Sequence, residues 1–412
     1  MTGTAPVAVV VTNGVPRFVG KSRNTPAPMR NVQLAQCKVD AGLQRAHALG
    51  RSRTPIYFST FNITRIHAMH SMTRLFQGFD PLRALVAACS LAVAAVAVAQ
   101  PAEVHVMKVG TATLNDLQHE WYKRFAADVG QRTAGKVKVE IYPAGQLGAI
   151  PRMIEGVQFG TIQAWNGPPQ FLAGIDSRFN VLSAPGLFKG VAHANRSLQD
   201  SDFNKAFLAL GANKGIRGIG LFVTGPAGFA MRTPTQKLGD LESRKIRVLA
   251  ADMDREQIRR LKASPVPMAL GEVLPALQQG ALDGVMSVLP VLSALRYYDA
   301  AKYFYATDQA MVTIITVVSK TWMDKLPPEL QTAILESGQK VSREIFQWSV
   351  DDYAKAKDDW TKAGGQFVSI SASDRDNLTK LLLPIGAEVS AKTPTDKAMY
   401  DLLVNATART HQ

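Results

Sequence analysis

The sequence predicts an α/β protein in which short strands alternate with helices and pair mostly in parallel. Three observations carry that expectation. Between Val104 and Trp165 the apolar residues switch from period two to helical spacing and back twice. A second set of strand and helix patterns follows between Gly218 and Ser319, without an internal sequence repeat. Hydrophobic residues make up 46% and charged residues 19% of the 412-residue chain, enough apolar material for a packed core.

Val104 to Thr111 (VHVMKVGT) alternates and reads as the first strand. Asp116 to Thr133 places Trp121, Phe125, Ala126 and Val129 at helical spacing, and Gly135 ends it. Lys136 to Tyr142 (KVKVEIY) is an alternating strand closed by the turn Pro143-Ala144-Gly145. Ile150 to Gly160 reads as a helix stopped by glycine, and Thr161 to Trp165 as a short strand. Further on, Gly218–Thr224 and Arg244–Leu249 read as strands and Asp252–Leu261 as a helix. Glu272–Gln279 reads as a helix with Pro275 in its first turn, where proline is tolerated. Leu282–Val288 is a short strand, and Met311–Ser319 (MVTIITVVS) is β-branched and apolar throughout, a buried strand. Glu329 to about Ala363 has no interior proline and ends at Gly364-Gly365, which predicts one very long helix.

Charge and special residues exclude several functions. The formal net charge is +14, but residues 1–99 hold eleven Lys/Arg against only Asp40 and Asp80. Most of the basic excess therefore sits at the front, and the remainder implies no nucleic-acid partner. Two cysteines, Cys37 and Cys89, exclude a disulfide framework and a cysteine-rich metal site. The seven histidines form no close pair from residue 100 onward, and GxSxG, P-loop and GxGxxG motifs are absent. The chain is expected to be neither an enzyme nor a cofactor carrier.

The front reads as an address. Ala84 to Ala99 (ALVAACSLAVAAVAVA) is uncharged and mostly apolar, a little short for a bilayer span. Met72, Arg74 and Arg83 precede it, and Ala97-Val98-Ala99 offers a small-x-small exit before Gln100. That order describes a secretory signal peptide over 72–99, cleaved near Ala99, which places the mature protein in the periplasm. The alternatives are an uncleaved anchor, which would make a membrane-anchored sensing domain, and lipoprotein processing at Cys89, which lies mid-run. Residues 1–71 are expected to be a disordered or over-extended upstream segment.

The segment RTAGKVKVEIYPAGQLGAIPRMIEGVQFGTI (132–162) resembles the N-terminal signature of TRAP (tripartite ATP-independent periplasmic) transporter receptors of the DctP type. APGLFKGVAHA (184–194), LGDLESRKIRV (238–248), ASPVPMALGEVLPALQQGALDGV (263–285) and LPPELQTAIL (326–335) are similar to later elements of that family, in family order. The resemblance implies a two-lobed α/β periplasmic binding protein with a long helix bracing both lobes. It implies a lobe I of 104–224 and 308–345 and a lobe II of 225–307 and 346–412, closing over a ligand that passes to TRAP membrane permease subunits.

Arg247, within Lys245-Ile246-Arg247-Val248, falls where the family places its carboxylate-binding arginine. A guanidinium suits the role, since its fork of donors matches two carboxylate oxygens. Without the motif, an Arg in a run with Arg244 and Lys245 reads as solvent-exposed. Trp165 and Asn166 follow a first-lobe strand whose carboxyl end should face the cleft. Ser287 stands where relatives carry Asn or another polar residue. Met286 and Phe229 suggest an apolar wall, and Gln309 ends a crossing back to the first lobe beside Asp308. Relatives often carry a second polar or basic group near 225–229; this chain has Gly225-Pro226-Ala227-Gly228-Phe229 there, leaving Arg232 as a candidate substitute or a surface charge. The expected ligand is a small organic monocarboxylate with an apolar body. The sequence leaves a ligand-assisting metal ion open.

Overall fold

The computed structural model describes residues 103–249 and 251–411. The expected upstream segment 1–71 and signal peptide 72–99 lie outside the described residues. The strands are β1 (His105–Gly110), β2 (Val137–Tyr142), β3 (Ala164–Gly167), β4 (Ile216–Met231), β5 (Lys245–Val248), β6 (Ser264–Pro267), β7 (Gly284–Val288), β8 (Tyr303–Ala306), β9 (Met311–Ser319) and β10 (Gln366–Ser369). Among the described residues they join in the order β2-β1-β3-β9-β4-β7-β5-β6, with β8 also on β4 and β10 on β8.

Parallel pairing holds only on the flanks. β1 pairs in parallel with β2 and β3, β5 with β6 and β7, and β8 with β10. In the middle, β4 and β9 are antiparallel to each other and to their other neighbours. The reason is the length of β4. The sequence reading ended this strand at Thr224, but it continues through Gly225-Pro226 to Met231 and belongs to both flanks. Its first part pairs with β9 as far as Pro226↔Met311, and from Ala227↔Val288 it pairs with β7. Pro226 cannot donate to a ladder, and it sits at the change of partner, where the donor is dispensable.

The expected helices form where capping and apolar spacing favour them. Leu117–Arg132 starts at Asp116, whose Oδ1 accepts from the His119 amide at 3.2 Å. It buries Leu117, Trp121, Tyr122, Phe125 and Val129 on β1 and β4. Ile150–Phe159 ends at Gly160, whose φ of 82° suits glycine. In Leu270–Gln278, Pro275 lies inside the helix rather than in its first turn.

The predicted long helix is two helices, Pro328–Glu344 and Phe346–Lys362, meeting at Ile345. No proline or glycine marks the break; both halves touch β4 and the helix Leu117–Arg132, the first more closely, and the second turns to other partners as well. The first lies on β4 and on Leu117–Arg132, so close that a Cβ on Gly338 would stand 2.3 Å from the Ile219 carbonyl oxygen. The second lies on the helix Leu289–Ala294 and on β10. The brace between the flanks is therefore kinked.

The core follows period-two alternation along the central strands. Ile314 and Val318 of β9 face one apolar cluster with Trp121 and Phe222, while Ile315 and Val317 face another with Trp165 and Phe207. On β4, Phe229 and Met231 face one side and Ala230 the other. The last helix, Pro394–Arg409, packs on Val191–Leu198 and Ser201–Leu208, with the His193 ring 2.9 Å from the Thr407 carbonyl and Arg409 2.6 Å from Asp200.

Candidate functional site

The carboxyl ends of β3, β5 and β7 and the crossing segments of β4 and β9 meet around one cavity. It encloses about 760 Å³ of space between atoms, open mouth included. Most of its wall is apolar: Ile150, Phe171, Leu270, Met286, Val291 and Met311 all line it. Ligands in open α/β folds bind at such strand ends.

Arg247 enters this cavity from β5 and is only 1% exposed. Its Nε donates to the Met268 carbonyl at 3.0 Å, and its Nη2 has no partner. Burial pulls the guanidinium down to about 10, against the pull of Tyr297 and Asp254 in the other direction, so it stays charged at neutral pH. Its charge raises a demand that the protein leaves open, because a buried charged donor without a partner is costly.

Four other buried polar atoms of the lining lack partners: Trp165 Nε1, Asn166 Oδ1, Gln170 Oε1 and Asp254 Oδ2. Asn166 is held by its amide, which donates to the Gln118 carbonyl at 3.1 Å and leaves Oδ1 free. Trp165 lies flat against Gly167, where an added Cβ would stand 2.3 Å from the indole Cζ2. Gly167→Ala is therefore expected to displace the indole, weakening ligand binding roughly tenfold at a stability cost of about 1–3 kcal/mol. Calorimetric titration beside a melting curve checks this; unchanged affinity would mean that the ring position does not matter.

The structure thus gathers Arg247, Trp165, Asn166, Met286 and Ser287 around one space. Gln309 is elsewhere. It is 6% exposed, accepts from the Thr307 hydroxyl, and lines a second hollow with Thr224, Asp308, Tyr353 and Arg375. Arg232 is exposed beside Gly280 and lines neither space. It stands one residue beyond the end of its strand at Met231.

Sequence reasoning passed over Gln170 and Asp254. Gln170 lies in the short 3-10 segment Pro169–Leu172, after a proline pair that reads only as a turn. Asp254 lies in the first turn of the helix Asp252–Arg260, where an acid is ordinarily a helix-dipole partner. Burial drives its carboxyl up to about 7, although Ser183, Arg247 and Arg255 each lower it. Only the exclusion of water at that place distinguishes it from a surface acid.

Comparisons with known proteins agree with this geometry. Residues 109–393 match the family model for bacterial extracellular solute-binding protein, family 7. The chain is 28% identical over 255 residues to the 2,3-diketo-L-gulonate-binding periplasmic protein of Escherichia coli, covering 62% of this chain and 77% of that one. A TRAP periplasmic solute-binding protein from Desulfovibrio salexigens, solved with bound orotic acid, superposes with a TM-score of 0.71 at 25% identity over 74% of this chain and 99% of that one. A TRAP periplasmic solute-binding protein from Xanthobacter autotrophicus, solved with bound β-D-galacturonate, shares the fold at a TM-score of 0.68 and 23% identity, over 73% and 99%. Among the described residues no helix is long and apolar enough to cross a membrane. The two-flanked mixed sheet, the cleft at its strand ends and the match over residues 109–393 lead to one conclusion: this chain belongs to bacterial extracellular solute-binding protein family 7, a family of two-lobed TRAP transport receptors rather than enzymes.

Proposed function

We propose that this receptor captures a small organic acid through one carboxylate held by Arg247, and delivers it to TRAP permease subunits. The observation that carries the proposal is the unpartnered Nη2 of a buried Arg247 inside a mainly apolar cavity. A carboxylate supplies the missing acceptor and the missing negative charge at once. Two relatives support the reading, since orotate and 2,3-diketo-L-gulonate are both carboxylates. In this reading Trp165 Nε1, unpartnered in the same cavity, donates to that group or to a neighbouring one, while Met286 and Ser287 bound the ligand's body.

In this reading β1–β3, the first part of β4 and β9 form one lobe, and β5–β8 with β10 form the other. The segments Thr224–Ala227 and Thr307–Met311 are the hinge. The kinked helix pair braces both lobes, and the helix Pro394–Arg409 belongs with the first, on whose helices it packs. The chain works outside the cytoplasm; its place in the periplasm and cleavage near Ala99 belong to the same proposal.

Thermal-shift and calorimetric screening of carboxylates, neutral sugars and cations tests the function. A carboxylate at a hundredfold excess over its Kd is expected to add about 2.7 kcal/mol to stability. Stabilisation confined to neutral sugars or cations would overturn the proposal.

A further inference from the structure

The cavity holds further unpartnered acceptors besides Arg247's site. Asp254 is 3% exposed and Gln170 is 4% exposed, and both line the space that Arg247 enters. Oδ2 of the one and Oε1 of the other have no hydrogen-bond partner. Both side chains are held from behind. Gln170 Nε2 donates to Ser183 Oγ at 2.7 Å, and Gln257 Nε2 donates to the Ser183 carbonyl at 3.1 Å and reaches Asp254 Oδ1 at 3.5 Å. The Gln170 oxygen is therefore a fixed acceptor, and Asp254 Oδ2 accepts when ionised and donates when protonated; a hydroxyl can answer both, whereas a ligand with no polar group here leaves both unsatisfied.

Charge adds a constraint. One buried cation, Arg247, is neutralised by one ligand carboxylate. A second anion in the same dry space would have no counter-charge. Building on the reading of Arg247 as the carboxylate site, we propose that Asp254 and Gln170 form a second ligand-contacting pole that takes a hydroxyl of the bound acid, with Asp254 kept as the neutral acid in the complex. The ligand is then a hydroxylated carboxylate, not an alkyl or aryl acid without other polar groups, and its capture takes up a proton.

The charges that act on Asp254 are Arg247 on β5 and Arg255 on its own helix. The neighbouring charges are matched among themselves: Asp252 with Lys392, Arg260 with Glu256 and Glu388, Arg178 with Asp176, and Arg375 with Asp308. Asp376 and Lys380, on the adjoining helix Ala372–Leu382, are exposed, and β6 carries no titratable group. Burial leaves the carboxyl of the free protein at about 7. A bound carboxylate nearby raises it further. Affinity is then full below about pH 7 and falls as the pH rises above it, by up to roughly tenfold per unit.

Calorimetry on the full chain with matched acids tests the proposal: lactate against propionate, mandelate against phenylacetate, gluconate against hexanoate, at pH 6 and pH 8.5. In the pairs that bind, the hydroxylated member is expected to be roughly ten- to a hundredfold tighter. Asp254→Asn, which keeps the shape and a neutral end with both donor and acceptor, retains that preference but loses the pH dependence. Asp254→Leu loses the preference. The proposal is overturned by equal or tighter binding of the deoxy acids, by an intact preference in Asp254→Leu, or by the same pH profile in wild type and Asp254→Asn. If Asp254→Leu does not fold, the Asn profile decides alone. Failure of every acid in the set, hydroxylated or not, strikes instead at the carboxylate reading of Arg247, and this proposal falls with it.

Discussion

Arg247→Ala is expected to abolish carboxylate binding while leaving the ligand-free protein about as stable as before. The two effects have different origins. In the complex, the guanidinium and the carboxylate neutralise each other in a space that excludes water, and truncating one partner of such a pair costs about 2–5 kcal/mol, a loss of roughly thirty- to several thousandfold in affinity. In the free protein the same guanidinium is a burden. It is 1% exposed, burial pulls it down to about 10, and Nη2 is unpartnered. Its removal leaves the Met268 carbonyl without its donor, a cost of about 1 kcal/mol, and relieves a buried charge at the same time. Arg247→Lys should restore charge without the fork and recover only part of the affinity. Binding by Arg247→Ala within threefold of wild type would remove this residue from the site. A binding loss accompanied by a collapse of the melting temperature would show that the guanidinium is structural instead.

Trp121→Ala is expected to have the largest effect on stability, with ligand affinity of the remaining folded protein unchanged. The side chain is fully buried, stacks on Phe125 at 4.8 Å and on Phe222 at 5.7 Å, and donates from Nε1 to Ser342 Oγ at 3.1 Å. It thus joins the first helix, β4 and the brace in one contact. Loss of a buried tryptophan costs about 3–5 kcal/mol. For roughly 300 folded residues unfolding with about 2.1 cal/mol/K each, that lowers Tm by roughly 5–8 °C. Differential scanning calorimetry reads it directly; a shift of only a degree or two would mean that the brace is not anchored there.

Much of the fold could be read from pattern. Met311–Ser319 was recognisable as a buried strand because both of its faces are apolar, and in the fold both faces are covered. The first helix was recognisable because Trp121, Phe125 and Val129 repeat at helical spacing. β4 was harder, since glycine and proline interrupt it where it changes partner. The kink at Ile345 was invisible, because neither the residue nor its neighbours break a helix; only the second half adds the helix Leu289–Ala294 and β10 to the partners that both share.

The candidate site divides in the same way. Local sequence determined that Arg247 stands in a strand motif of the receptor family, and that Trp165 and Asn166 follow a strand whose end should face a cleft. Sequence could not separate Gln309 from that group, since which side of a crossing segment meets the ligand depends on pairing between residues far apart in the chain. It also could not raise Asp254 above any other acid in a first helical turn. Whether a carboxyl is a solvated surface charge or a proton-holding group in a cavity is set by how much water the surrounding elements exclude. That exclusion here comes from β5, the 3-10 segments carrying Gln170 and Ser183, and the helix Asp252–Arg260, brought together only by the tertiary fold.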